Sequence, residues 1–297
     1  MAQETIKSII PGRVDVVVPV YNQESWVGEC IQSVLNQTYK DFRLIVVNDG
    51  STDRSRLVIQ EAVDAYVNRD NEARKAYLAE VESRGLLTRT GDMDADFITD
   101  NTRYALWHTY FPEGERVSPI IIDKENQGLS EARNTGIRWP DAVGEFILPL
   151  DSDDTIQPDY LEKTVPKMQD PKVGVVSTDM QYFGLLNKRI PPKGLTLAHE
   201  MHSNDLPVCS LIRRTAFEQT RGYEALFIEV AGSSKVLGYE DWNLWIDILK
   251  RGWKVAVVNE PLFHYRVKPV SMITQAAKLH SGLVRLIHLL HPDLWPL

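Results

Sequence analysis

The chain is poor in cysteine: two residues in 297, Cys30 and Cys209, lie far apart and in no CxxC or similar ligand spacing. That excludes a disulfide scaffold and a cysteine-built metal centre; it predicts reduced, buried thiols and a cytosolic compartment. No stretch approaches the roughly 18 apolar residues that a membrane-crossing helix needs, and residues 1–7 lack a basic segment followed by an apolar run, so a soluble, unprocessed chain is expected. Basic residues are outnumbered, 33 Lys and Arg against 41 Asp and Glu, for a formal net charge of −8. Such a chain lacks the basic face of a dedicated nucleic-acid binder, although a bound cation would still permit an anionic substrate.

Several familiar signatures are missing as well. There is neither a G-x-G-x-x-G after the first strand nor a G-x-x-x-x-G-K-[ST], so dinucleotide and P-loop phosphate cradles are excluded. His199-Glu200-Met201-His202 has its histidines three apart where a zincin helix needs four, which leaves them as satisfied surface or loop residues. Asp92-x-Asp94-x-Asp96 fails as a calcium loop, because Phe97 stands where glycine is required and Arg103 where glutamate is required. No internal repeat or low-complexity tract is present.

What remains is an α/β pattern, with 43% apolar residues to build a substantial core. Residues 14–20 and 42–47 are β-branched, buried-type strands, and between them Trp26, Val27, Cys30, Ile31, Val34 and Leu35 share one helical face, predicting a βαβ unit with a right-handed crossover. Asn48-Asp49-Gly50-Ser51-Thr52-Asp53 ends the second strand in a tight turn with Ser51, Thr52 or Asp53 as helix cap. A strand at 119–122 leads to a polar loop and a helix around 130–138; a strand at 145–150 ends in Asp151-Ser152-Asp153-Asp154. Four polar or acidic loops thus converge on the carboxyl edge of one sheet, where open α/β sheets bind ligands. Residues 66–116 are highly charged and read as an insertion. Strands near 173–177 and 254–258, a loop at 191–194, a helix over 242–251 stopped by Gly252, and a leucine-faced helix over 274–291 complete the chain.

Two carboxylate groups carry the chemical signal. Asp151, Asp153 and Asp154 crowd together directly after a buried strand, which suits a divalent cation and equally suits a capping turn before a helix opened by Pro158. Glu240-Asp241 opens a helix whose packed face carries Trp242, Trp245, Ile248 and Leu249; capping with favourable dipole contacts and a rigidly held general base both fit.

Together, the motifs Val18-Pro19-Val20-Tyr21-Asn22-Gln23-Glu24, Ser33-Val34-Leu35-Asn36-Gln37-Thr38, Val47 through Asp53, Asn126 through Gly136, Asp151-Ser152-Asp153-Asp154, Gly238-Tyr239-Glu240-Asp241 and Phe263-His264-Tyr265-Arg266 resemble the inverting glycosyltransferases of family 2. The resemblance implies a GT-A fold, a mostly parallel Rossmann-like sheet flanked by helices, spanning about 11–268, with a nucleotide-sugar half at 11–156, an acceptor half at 157–268 and a C-terminal helical extension at 269–297. It further implies that Pro19, Tyr21 and Glu24 border the nucleotide base, that Asp49 accepts a hydrogen bond from it, and that Arg133 helps hold the nucleotide. Asp151 and Asp153 correspond to the family's DxD, meeting ribose and a Mn²⁺ or Mg²⁺ ion on the diphosphate, with Asp154 close by and His264 as a further metal ligand. Asp241 matches the catalytic base and Glu240 supports it. Asn48 stands where the family often has a second aspartate.

The implied partners are a nucleotide-diphospho-sugar donor and a hydroxyl-bearing acceptor, a glycan or glycolipid, with no nucleic acid. The competing readings are a catalytically inactive sugar-nucleotide-binding or scaffold protein, and a sugar nucleotidylyltransferase, which would need a glycine-rich loop where Pro19-Val20-Tyr21-Asn22 stands. The C-terminal helix either docks on the domain or, with Lys278 and Arg285 away from its leucine face, lies on the inner face of a membrane. Seven carboxylates, those of Glu24, Asp49, Asp151, Asp153, Asp154, Glu240 and Asp241, are expected to gather around an anionic donor, a mutually repulsive site that predicts strict divalent-cation dependence.

Overall fold

The structure is a computed structural model that describes residues 8–67, 119–193, 195–228, 236–269 and 276–295. The expected insertion at 66–116 and the Asp92-x-Asp94-x-Asp96 segment lie almost wholly or wholly outside those residues.

Strand β1 (Ile10–Val20) carries five valines with a fully buried run from Val14 onward, and β2 (Phe42–Asp49) is buried throughout. Both have apolar residues on successive positions rather than alternate ones because both faces of the sheet are covered. Between them α1 (Val27–Leu35) buries Val27, Cys30, Ile31, Val34 and Leu35, the face expected from the sequence. The strands pair in parallel, Val14 with Phe42 through Val20 with Asn48, which establishes the βαβ unit. Helix α2 (Ser55–Val67) follows, and β3 (Ile120–Lys124) adds in parallel to β2. Helix α3 (Leu129–Ile137) then leads to β4 (Gly144–Pro149), parallel to β1 on its other side. A Cβ on Gly136 would lie 2.5 Å from a Val17 methyl and 3.0 Å from one of Val47, so glycine is what lets α3 lie this close to the sheet.

Beyond β4 the sheet departs from the simple pattern. The two-residue strand β5 (Thr155–Ile156), helix α4 (Tyr160–Thr164), a 3₁₀ turn at Val165–Gln169 and β6 (Val173–Gly184) come next. Then follow β7 (Lys188–Ile190), α5 (Leu197–Glu200), β8 (Leu211–Arg213), α6 (Arg214–Glu218) and a small ribbon of β9 (Phe227–Ile228) and β10 (Val236–Leu237). Helix α7 (Glu240–Leu249), β11 (Lys254–Val267) and α8 (His280–Leu290) close the described chain. Strand order is β3-β2-β1-β4-β8-β6-β11-β5, with β7 on β6. β6 and β11 are parallel, while the three residues of β8 run antiparallel to both β4 and β6 and join the halves.

Two strands are longer than the sequence suggested. β6 extends to Gly184 and β11 to Val267, whereas the apolar stretches run only to about 177 and 258. Pro261, an ordinary strand breaker, is tolerated in β11 because the register with β6 shifts on both sides of it. The expected stop after α7 is met, with Gly252 in the left-handed region at φ +88°.

The core lies on both faces of the sheet. One face packs β1, β2 and β4 against α1 and α2, and the other packs Val17, Ile45, Val47 and Ile147 against α3 and Trp245 of α7. A third cluster joins Trp242 and Ile246 of α7 to Leu283 and Ile287 of α8. The leucine face of the C-terminal helix is therefore covered by the domain, which answers the docking alternative; the helix itself is shorter than expected, preceded by a 3₁₀ turn at Ala277–Leu279. Cys30 and Cys209 are free and buried, with thiol pKa values pushed up by burial. Among the described residues, no helix is long and apolar enough to cross a membrane.

Candidate active site

Because β1, β2, β3 and β4 are mutually parallel, their carboxyl ends face one edge. There Pro19 is a buried strand residue paired with Val47, while Tyr21 is 48% exposed and its ring is free to meet a ligand. Asn22, in the left-handed region at φ +52°, accepts a hydrogen bond from Thr52 N–H at 2.8 Å and ties this loop to the next. Glu24 accepts from Arg54 N–H at 2.8 Å, and Asp53, of the three cap candidates, accepts from Ser55 N–H at 2.9 Å.

Asp49 is 2% exposed and its carboxylate accepts three hydrogen bonds: from Lys124 Nζ at 2.7 Å, Gln127 N–H at 3.0 Å and Gly128 N–H at 2.8 Å. It shapes the 124–128 loop. Gly50 makes this possible: at φ +71° it turns so tightly that a Cβ would lie 2.8 Å from Asn126 N. Asn48 donates to Asp123 at 2.7 Å, a bond that an aspartate could not make.

The turn after β4 presents Asp151, Asp153 and Asp154. A strand, β5, follows it rather than a helix, and none of these carboxylates caps α4, so the capping alternative is not met. Arg133, 1% exposed on α3, donates from Nη2 to Asp151 at 2.5 Å and from Nη1 to Glu240 at 2.6 Å, with its guanidinium 5.0 Å from the centre of the Tyr223 ring. One buried cation thus fastens the turn after β4 to the start of α7. Both of its arms are committed to carboxylates. Asp153 pairs with Lys268 Nζ at 2.5 Å. Asp154 is 1% exposed; its Oδ1 accepts from Arg266 N–H at 2.8 Å, its Oδ2 is buried without a partner, and burial beside Asp153 and Asp151 pushes its pKa well up. The Arg266 guanidinium donates to the Asp153 carbonyl at 2.7 Å and lies 4.3 Å from the centres of both the Trp26 and Phe183 rings.

These pairs correct one expectation. The acidic edge is partly neutralised by the chain's own cations, since Asp49 has Lys124, Asp151 and Glu240 share Arg133, and Asp153 has Lys268; the repulsion that remains falls on Asp154 and Asp241. The cations come from α3, β3 and the residue just after β11, remote in sequence from the carboxylates they neutralise. His264 stands in β11 opposite Thr155, the residue that follows the acidic turn. Its Nε2 sits 2.9 Å from Gln157 Nε2 and its ring lies 6.1 Å from that of Phe183, with burial lowering its pKa. Among the described residues, no group of three or more His, Cys, Asp or Glu side chains is arranged to hold a metal. The donor set nonetheless suits a hard divalent cation: all its atoms are carboxylate oxygens, and one of them, Asp154 Oδ2, is buried with no partner. The fit requires Lys268 to leave Asp153.

Asp241 lies in the first turn of α7, after Tyr239 in the left-handed conformation at φ +65°. Its Oδ1 accepts from Trp242 N–H at 2.8 Å, and Asn204 Nδ2 lies 3.4 Å from each of its oxygens. The direction of its pKa was not legible in the sequence. Burial, reinforced by the Glu240 charge, outweighs Arg133 and the hydrogen bonds and pushes it up to about 7, in the range where a carboxylate makes an effective base. Asn204, Lys268 and Arg266 were not assigned roles from the sequence. Arg266 and Lys268 lie in or just beyond the last motif; Asn204 carries no local signal.

His199 and His202 are not arranged as zinc ligands. His199 pairs with Asp205, and its short helix is capped by Thr196.

The family profile described as glycosyl transferase family 2 matches residues 15–85 and 96–221, interrupted only inside the segment expected as an insertion. The putative glycosyltransferase EpsH of Bacillus subtilis is 31% identical over 284 residues, covering 91% of this chain and 66% of that protein. Glycosyltransferase GlyA of Streptococcus pneumoniae is 25% identical over 278 residues, 89% of this chain and 32% of that one. The chain therefore spans about one third to two thirds of the length of these relatives. The structure of S. aureus TarS 1-349 in complex with UDP-GlcNAc superposes with a TM-score of 0.60 at 15% identity, covering 93% of this chain and 66% of that one. A mannosyltransferase from Pyrobaculum calidifontis in complex with GDP-Man and Mn²⁺ gives 0.55 at 16%, covering 90% and 60%. These likenesses establish the GT-A fold. With most of its length matched by the family profile, the chain belongs to glycosyl transferase family 2.

Proposed function

We propose that the chain is an inverting glycosyltransferase that moves a sugar from a nucleotide-diphospho-sugar to an acceptor hydroxyl, with Asp241 as general base. The observation that supports this most directly is the Arg133 bridge. It holds Asp151, on the donor side, and Glu240, next to the base, on one guanidinium, so that base and donor site keep a fixed separation. The exposed ring of Tyr21 supplies a stacking surface for the nucleotide base, bordered by Pro19 and Glu24. Asp49 serves there by holding the 124–128 loop in shape.

Asp241 takes the proton of the acceptor hydroxyl as its oxygen attacks C1 of the sugar from the face opposite the diphosphate. The C1–O bond to the diphosphate breaks with its electron pair, so the anomeric centre inverts and the nucleoside diphosphate departs as an anion. Asp151 and Asp153, with Asp154, are the residues that would hold Mn²⁺ or Mg²⁺; such an ion offsets the negative charge left on the departing diphosphate. His264, turned to Gln157, is not part of this proposal.

A UDP-sugar is the first donor to test, since the TarS complex holds one. A glycan is the proposed acceptor class, in keeping with relatives that include the minor teichoic acid biosynthesis protein GgaB of Bacillus subtilis, 25% identical over 280 residues. The proposed location is the cytoplasm. The deciding experiment is thermal stabilisation by a panel of nucleotide sugars with and without Mn²⁺, followed by product analysis with the donor that binds. Stabilisation by no nucleotide sugar would overturn the proposal.

A further inference from the structure

The segment from Glu200 to Leu206 is clamped to α7 at both ends by indoles. Trp242 Nε1 donates to the Glu200 carbonyl at 2.5 Å, and Trp245 Nε1 donates to the Leu206 carbonyl at 3.1 Å. Between the clamps, Asn204 reaches both oxygens of Asp241. The Glu200 side chain, at the first clamp, is fully buried at 0% exposure, and neither carboxyl oxygen has a well-formed hydrogen bond, the Asp205 backbone N–H being the donor directed at it. The charged groups acting on it are two further carboxylates, Asp205 of the same loop and Asp241 of α7; the Asp205 backbone amide alone favours its charge. His199, its neighbour on α5, is turned to Asp205. A charged carboxylate in such a place lacks both solvent and a counter-ion, while a neutral one is tolerated.

We infer that Glu200 is a positioning residue for Asp241: a neutral carboxyl buried at the start of the 200–206 loop that keeps Asn204 against the base and loosens that loop when it ionises. Burial together with the neighbouring carboxylates pushes its pKa up to about 8, so the neutral form dominates at pH 7 and gives way above pH 8. The function of the loop rests on the reading of Asp241 as the base. The charge state of Glu200 and the order of the loop do not, and they are measured without substrate.

The test compares the unliganded wild type with Glu200→Gln and Glu200→Met between pH 5 and 9, by unfolding midpoint and by hydrogen exchange of residues 201–206 corrected for intrinsic rates. A raised folded-state pKa means that the native state holds its proton more tightly, so wild-type stability declines as pH rises through about 8. Glutamine and methionine cannot ionise. The difference between variant and wild type cancels contributions from other groups and should widen with pH. Loop protection in the wild type should fall about tenfold between pH 7 and pH 9, while both variants stay level.

Parallel stability curves for wild type and Glu200→Gln would overturn the inference, as would equal loop protection at pH 9. Collapse of Glu200→Met with Glu200→Gln intact would show that a carboxyl oxygen has a partner after all, and would overturn it too. The base assignment stands or falls separately, on the rate of an Asp241→Asn variant.

Discussion

Lys268 Nζ lies 2.5 Å from Asp153 Oδ2, so the chain's own ammonium occupies the carboxylate that the DxD reading assigns to a metal. Both groups are about one-fifth exposed, so the pair is only partly screened by water. Cation and metal then compete for one oxygen. Lys268→Met should tighten Mn²⁺ binding about fivefold, which is about 1 kcal/mol, in calorimetry on the nucleotide-free protein. Equal dissociation constants would show that the pair opposes nothing.

Asp241→Asn removes the proton acceptor while keeping shape and hydrogen bonding. Transfer should fall by roughly 10² to 10⁴, with donor affinity close to wild type. Initial rates and calorimetry on the same preparations separate the two effects, and near-wild-type transfer would refute the base.

The pH dependence follows from the raised pKa of Asp241, about 7 against an ordinary 3.8. Transfer should rise with pH through about 7 as the base ionises, and the limb should vanish in Asp241→Asn. Stability runs the other way. A raised pKa means that the folded state is favoured while the proton is held, so this contribution is present at low pH and lost as pH climbs through about 7. Asp241→Asn should therefore unfold at a higher temperature than wild type at pH 8; a lower midpoint there would show that the carboxylate is better stabilised than its surroundings imply.

Arg133→Met strands Asp151 and Glu240 at once. Breaking a buried pair by removing one partner costs about 3–5 kcal/mol, reduced here because the Asp151 side chain is 25% exposed. A urea-unfolding loss of about 3 kcal/mol is expected. Arg133→Lys restores charge but not the two-armed geometry, so it should recover part of the stability and little of the transfer rate.

Leu283→Ala probes the docked C-terminal helix. Leu283 is fully buried against a cluster that includes Trp242 and Ile246, so a loss of about 2–5 kcal/mol is expected. Flotation of the full chain with anionic liposomes should be negative, since the leucine face is already covered; flotation would reinstate membrane contact.

The strands that hold the site were legible because burial on both faces gives β1, β2 and β4 unbroken β-branched runs. The far halves of β6 and β11 were not, because polar and aromatic residues interleave there and Pro261 hides in a register shift. β5, β7 and β8 have two or three residues each and are too short to show a period. In the site, Asp151, Asp153, Asp154, Glu240 and Asp241 stood out as clustered carboxylates at element ends. What neutralises them did not: Lys268 meets Asp153 across 115 residues of chain, and Arg133 meets Glu240 across 107. Glu200 was visible only as part of a zinc motif with the wrong spacing; its burial is a property of packing.

The three residues of β8 have a thermodynamic consequence. They are the strand contact between the parallel half built on β1 and the half built on β6 and β11, and two arginines rivet the seam. Arg213 donates to the Val173 and Met168 carbonyls and to Glu145, and Arg214 donates to the Ile137 and Gly144 carbonyls and to buried Asp15. Opening that seam would break the buried Arg214–Asp15 pair, so neither half gains by separating first. Calorimetric and van't Hoff enthalpies should agree, and the two halves of the sheet should melt as one cooperative unit.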